Sequence, residues 1–292
     1  MARTRQLIFG AINITLPAPH APDRYVNLLK MAFSEKRAVK LQGDWVALLG
    51  GMTVEDEADG GHLIRGEFYK YISLDVTRDW FNVAKGKPAD AHDLEAINIP
   101  DELKPHFQIL SFVFFSKRHR LILITKDGAD SLSIRQAAAI LTKLFASPNI
   151  LKEFGRVDVV VEPSRETLDT IFGLTRLRSL FIEITPPNPD DFEEYEHALF
   201  EDMKTQRAGS YRIALQESDA RGLAPSAPVK KLAEVAQSNG KVVGIGGSRG
   251  KTKTLSTTDH PMEDKAPFDS DAVSRRDFLL VRARKILQGL KR

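Results

Sequence analysis

Residues 103–128 read LKPHFQILSFVFFSKRHRLILITKDG, two apolar runs separated by a short basic turn. Runs of this length, rich in β-branched and aromatic residues, predict two strands, and their close spacing joins them as a hairpin. The segment ILSFVFF (109–115) lacks the alternation of a half-solvated strand, so at least one of the pair is expected to be buried on both faces.

Upstream, LIFGAINITL (7–16) reads as a strand stopped by Pro17, Pro19 and Pro22, and a helix is expected from Asp23 with Tyr25 or Val26, Leu29 and Phe33 on one stripe. VKLQGDWVALLGG (39–51) and HLIRGEFYKYISLDV (62–76) predict two more strands around the acidic loop that ends in Gly60-Gly61. Downstream, SLSIRQAAAILTKLF (131–145) fits a helix capped by Ser131 or Ser133. RVDVVVEP (156–163), RLRSLFIEITP (176–186) and SYRIALQE (210–217) are expected strands, with helices at 164–174, over the acidic stretch before Lys204 and Arg207, and at 229–240. Strands joined by tight turns, without a long series of βα repeats, indicate an α+β fold with mixed or antiparallel sheets, β-hairpins and packed helices. A boundary near residue 150 is expected, giving an N-terminal α+β domain over 1–150 and a C-terminal one over 151–292 with a basic hairpin and a terminal helix.

Composition narrows the chemistry. With 42% apolar and 28% charged residues among 292, the chain is of globular type. It has no cysteine, which removes disulfides, thiolate zinc sites, iron–sulfur clusters and thiol nucleophiles. No apolar run approaches the roughly 18 residues of a membrane span, and a cytoplasmic location without membrane contact is expected. The histidines are scattered, with no H-x-H or H-E-x-x-H spacing to place two metal ligands on one face; neither a metal nor another cofactor is predicted. Charge is uneven: 7 basic against 3 acidic residues over 1–50, 23 against 30 over 51–239, and 12 against 6 over 240–292. Polyanion contact is therefore expected from local patches.

The stretch GIGGSRGKTKT (244–254) superficially matches three catalytic motifs. A phosphate-binding loop needs a glycine where Ile245 stands and a helix after the lysine; a nucleophile elbow also needs that helix, and an S-x-x-K serine opens one. TKTLSTTDHP (252–261) is instead rich in β-branched residues and ends in proline, so the stretch reads as a β-hairpin with a glycine-supported basic tip. Arg249, Lys251 and Lys253 lie at that tip, and Lys241 opens its first strand. The other basic turn holds Lys117, Arg118, His119 and Arg120. Both sets are candidate nucleic-acid contacts, because each phosphate neutralised by a cation adds salt-sensitive affinity. The terminal helix places Leu279, Leu280, Ala283, Ile286, Leu287 and Leu290 on one face, suited to packing or to dimerisation. Asp158 and Glu162 share a strand face and are the nearest carboxylates for metal-dependent nuclease chemistry, alongside the E-x-K at Glu102 and Lys104.

The blocks Trp80-Phe81-Asn82, IPDELKPHF (99–107), FVFFSKRHRL (112–121), FGRVDVVVEP (154–163), LRSLFIEI (177–184), PNPDD (187–191) and TTDHP (257–261) resemble, over nearly the whole chain, a bacterial domain-of-unknown-function family of defence and mobile-element context. That family supplies no catalytic residues to carry over. VDVVVEP, a helix, then RSLFIEIT is also similar to the arrangement in the family of RexA, the phage lambda exclusion protein. This second resemblance implies DNA binding, self-association and a role in phage exclusion. The expectation is a non-enzymatic DNA-binding protein, homodimeric, making sequence-nonspecific phosphate contacts in phage defence, with RNA as an alternative ligand. The competing expectations are a metal-dependent nuclease or other hydrolase, and a protein-binding adaptor of a defence complex.

Overall fold

The computed structural model describes residues 4–19, 21–75, 79–95, 97, 99–100, 102–164, 166–185, 194–247 and 251–290. The fold is α+β, built on antiparallel sheets.

The larger sheet runs β10 (Asp158–Val161), β1 (Arg5–Thr15), β8 (Arg120–Asp127), β7 (Gln108–Phe115), β4 (His62–Ile72), β3 (Trp45–Asp56), β2 (Val39–Lys40). Strand β15 (Asp264–Phe268) also pairs with β1, and β9 (Asp130–Ser131) with β8. The β7–β8 hairpin occupies the middle of the sheet, and Leu110 to Phe115 and Leu121 to Ile124 are all buried. Helix cover on both faces explains this. Phe68, Phe112, Phe114, Leu121 and Leu123 share a core with helices α1 (Pro22–Ser34), α3 (Ile134–Phe145) and α4 (Pro148–Phe154). Leu63, Val113, Phe115, Ile122 and Ile124 meet α8 (Arg275–Leu290) on the other face. An antiparallel sheet sandwiched in this way lacks the solvated face that gives the usual alternation.

Local chemistry sets the helix ends. Ser133 caps α3 through a capping box, its hydroxyl accepting from the Gln136 amide while the Gln136 side chain accepts from the Ser133 amide. In α8, Leu279, Ala283 and Ile286 are buried against the sheet, and Leu280, Leu287 and Leu290 pack beside them. The leucine face is thus occupied within the chain. On the flank of α8, Arg282 forms a bidentate pair with Asp264 of β15.

The smaller sheet runs β12 (Tyr211–Gln216), β11 (Leu177–Ile184), β13 (Gly240–Gly246), β14 (Lys253–Ser256). One face is covered by α5 (Glu166–Phe172), α6 (Glu194–Thr205) and α7 (Ala227–Ser238), around Leu180, Ile182, Ile184 and Val242. The chain enters and leaves this sheet through strands of the larger one: β10 and β15 lie beyond residue 150, yet both pair with β1. Three late segments, β10, β15 and α8, therefore complete the unit that begins at β1, and the smaller sheet is an insertion between the first and the other two. Between β4 and β7 an excursion carries the two-stranded sheet β5 (Phe81–Asn82) and β6 (Lys87–Pro88) and helix α2 (Ala91–Glu95). Its Phe81, Val83, Leu103 and Phe107 are each more than half exposed.

Candidate nucleic-acid interface

The β7–β8 turn is cationic in sequence, but the fold draws His119 and Arg120 inward and leaves Lys117 exposed. Ser116 is buried and its hydroxyl accepts from the His62 amide at 2.7 Å. Lys117 is exposed and donates to the Asp59 carbonyl at 2.6 Å. His119 takes φ 55°, which folds its ring under the turn, where it is 1% exposed and stacked 4.5 Å from Tyr25. Arg120 Nε lies 2.6 Å from Glu162 Oε1, and its Nη1 donates to Asn13 Oδ1 at 2.6 Å and to the Arg118 carbonyl at 3.3 Å. The Arg120–Glu162 contact is close in distance but lacks hydrogen-bond alignment at Oε1. Burial raises the Glu162 carboxyl above its ordinary value, and the Arg120 charge opposes that shift. Arg118 is half-buried beside them.

The second tip is arranged differently. Lys251 and Lys253 are exposed and have no carboxylate partner among the described residues. Arg249 lies outside the described residues. Lys241 is committed elsewhere: its Nζ is 3.2 Å from Glu183 and 5.5 Å above the Phe181 ring. Glu183 also accepts from Arg212 at 2.7 Å, the largest of the influences that lower its carboxyl. Strand register puts Lys241 opposite Glu183 on the open face of the smaller sheet, whereas Lys253 shares its side of β14 with Leu255, which faces the helices.

Among the described residues, the two predicted sets do not converge on one surface. The base of the β13–β14 hairpin runs on to His260, whose carbonyl accepts from the Ser164 amide, and to Pro261, which lies opposite Pro163, directly after Glu162. Lys253 is at the other end of β14, about 10 Å along the strand at a 3.3 Å rise per residue. Arg120 therefore belongs to the junction of the two sheets, and the Lys251–Lys253 end points away from it.

A cationic cluster that motif reading passed over lies where α1 and α3 end. Arg37 donates to the Lys143 carbonyl at 3.1 Å, and Lys143 Nζ stands 3.5 Å from the Lys40 carbonyl. Lys36, Arg37, Lys40 and Lys143 are all exposed, and none has a carboxylate partner among the described residues. The nearby Glu35 carboxylate accepts from Ser147 and Asn149 instead. Two helix C-termini favour cations locally, which accounts for one or two such residues and leaves the others unbalanced. The basic excess over residues 1–50 was the available signal; the arrival of Lys143 depends on the tertiary fold.

Among the described residues no group of three or more His, Asp or Glu side chains is placed to hold a metal ion. No described helix is long and apolar enough to cross a membrane. Residues 5–285 match the family described as Domain of unknown function (DUF4747). The chain belongs to this family. The DUF4747 match opens on the first residue of β1 and closes within α8, so both sheets, the excursion and both cationic ends fall inside it. No curated protein matches the chain.

Proposed function

We propose that this DUF4747 protein is a non-enzymatic nucleic-acid-binding protein that grips DNA through its phosphates without reading base sequence, and that it serves in phage defence or exclusion. The observation that carries the reading is the meeting of Arg37, Lys40 and Lys143 with no carboxylate among them in the described residues. Like charges gathered at one surface are relieved by a polyanion, with release of its counterions. Lys251 and Lys253, exposed and without carboxylate partners in the described residues, supply a second contact. The test is binding to a fluorescent duplex and to single-stranded RNA over a salt series. Affinity that falls steeply with salt, and falls further on R37A/K143A, supports the reading; absent or salt-independent binding overturns it.

A second reading, a protein-binding role, draws on the excursion between β4 and β7, where Phe81, Val83, Leu103 and Phe107 are each exposed. Its occupant in this reading is a second copy of the chain, and light scattering of the wild type and of F81S/V83S measures it directly.

A further inference from the structure

A cavity of about 220 Å³ lies on the α8 face of the larger sheet, between β3, β4, β7 and the first turns of α8. Glu67 and Ser111 face each other across β4 and β7 as directly opposite residues, and both line it. Ser111 is 4% exposed and its hydroxyl has no hydrogen-bond partner among the described residues. The Glu67 side chain is 15% exposed, and its contact to Arg276 is 3.7 Å, longer than a hydrogen bond. On its other side, β3 breaks register between Leu49 and Met52, so that Gly50 and Gly51 together oppose the single residue Glu67. A bulge of this kind re-aims side chains and recurs beside binding sites. A methyl group on Gly51 would sit 3.4 Å from Glu67 Oε2. The bulge thus holds a glycine where a side chain would begin to fill the space.

A buried hydroxyl and a half-buried carboxylate on neighbouring strands, each short of partners, cost stability in isolation. They become favourable when a ligand supplies what they lack. The carboxylate calls for a cationic donor, and the hydroxyl can bond beside it. At the mouth, the Arg276 side chain is 68% exposed and its guanidinium meets only the loose contact to Glu67 among the described residues, so it is available to an anion. Val113 and Leu279 form the apolar wall. Arg65 differs, because Glu55 already engages it through two hydrogen bonds.

The geometry points to a binding site for a free α-amino acid with an apolar side chain, its ammonium on Glu67 and Ser111, its carboxylate on Arg276 and its side chain against Val113 and Leu279. The volume agrees: it is below the roughly 300–1,000 Å³ of drug-sized sites and suits a small metabolite. None of these residues belongs to the cationic cluster of α1 and α3, so this site stands or falls independently of nucleic-acid binding.

The test is thermal unfolding and calorimetry of the full chain with leucine, isoleucine, valine, methionine and phenylalanine, each alone at millimolar concentration. At tenfold excess over Kd, linkage raises Tm by about 3 °C, and one or more of the five is expected to do so. The same amino acid as its N-acetyl derivative, which has no ammonium, is expected to give no shift. E67Q, nearly isosteric, abolishes the response and R276A weakens it at least tenfold in Kd. Should E67Q fold poorly, Gly51→Val serves instead, since Gly51 is at the exposed edge of the cavity and the added side chain obstructs it. No shift with any of the five, or an equal shift in E67Q or in Gly51→Val, overturns the assignment.

Discussion

Arg120 and Glu162 meet at 2.6 Å where the two sheets join, with Glu162 only 2% exposed. The pair ties the β7–β8 turn to the segment that leaves β10, and Met262 donates to the Glu162 carbonyl at 2.8 Å from the returning chain. A cation that reads as a surface contact in sequence is here a structural link, and its removal affects stability first. Arg120→Ala leaves an uncompensated buried carboxylate, with an expected cost of about 3–5 kcal/mol. Arg120→Met with Glu162→Leu removes both charges and is expected to recover most of it. Urea unfolding of the wild type and both variants measures each effect.

The pH dependence of that defect has a definite sign. Burial already holds the folded-state Glu162 carboxyl above its ordinary value, and without Arg120 the opposing influence is gone. A carboxyl raised in the folded state destabilises as pH rises through the interval between its unfolded and folded values, and less so in acid. The gap between wild type and Arg120→Ala should therefore narrow from pH 8 to pH 5. A gap that widens in acid contradicts the assignment.

His62 bridges Asp23 of α1 at 2.7 Å and Asp56 of β3 at 2.9 Å. Burial pulls its pKa down, but the hydrogen bonds to Asp23 and Asp56 outweigh that and the net direction is up. A histidine raised on folding contributes fully below its unfolded value, near 6.5, and loses the contribution as pH climbs through the folded value. Wild-type Tm should decline over that interval, and His62→Asn should flatten the decline.

Nucleic-acid binding separates the surfaces. R37A/K143A and K251A/K253A are each expected to make the slope of log affinity against log salt shallower, by about one unit for every phosphate that no longer meets a cation. Lys117→Ala probes the β7–β8 turn, whose exposed lysine bonds only a backbone carbonyl, and an unchanged slope there removes that turn from the interface. Fluorescence anisotropy at a series of salt concentrations distinguishes the three.

Packing at the middle of the larger sheet is tight around Gly66, where an added methyl would come within 2.2 Å of the Phe112 ring. Gly66→Ala must displace that buried ring, at an expected cost of about 1–3 kcal/mol. A shift in the midpoint of denaturant unfolding at constant slope is the expected form.

The hairpin at 108–127 was legible because an almost unbroken apolar run leaves a strand no solvated side, and the α3 start was legible as a choice between Ser131 and Ser133, which the capping box with Gln136 resolves to Ser133. The leucine face of α8 was equally plain as a face, although its partner was not. What escaped the sequence was pairing across distance. β10, α5, β11, α6 and β12 alternate as one unit along the chain, yet β10 joins β1 in the larger sheet and β11 lies at the heart of the smaller one. Nothing near Arg120 announces Glu162, and nothing near Arg37 announces Lys143, because the strand and helix contacts that bring them together are set by the tertiary fold. The polar pair Glu67 and Ser111 was hidden for a related reason: each sits singly within an otherwise apolar or alternating strand.

The placement of β15 against the first half of β1 has a consequence for biosynthesis. Residues Arg5 to Phe9 pair with Asp264 to Phe268, so β1, the earlier of the two, waits for a neighbour that leaves the ribosome only after the whole smaller sheet. Until then that flank of β1 presents unpaired amides and carbonyls, the kind of template on which nascent chains misassociate. Arg5, whose guanidinium is held by Asp127 in the finished sheet, puts a charge on the exposed rim during that wait.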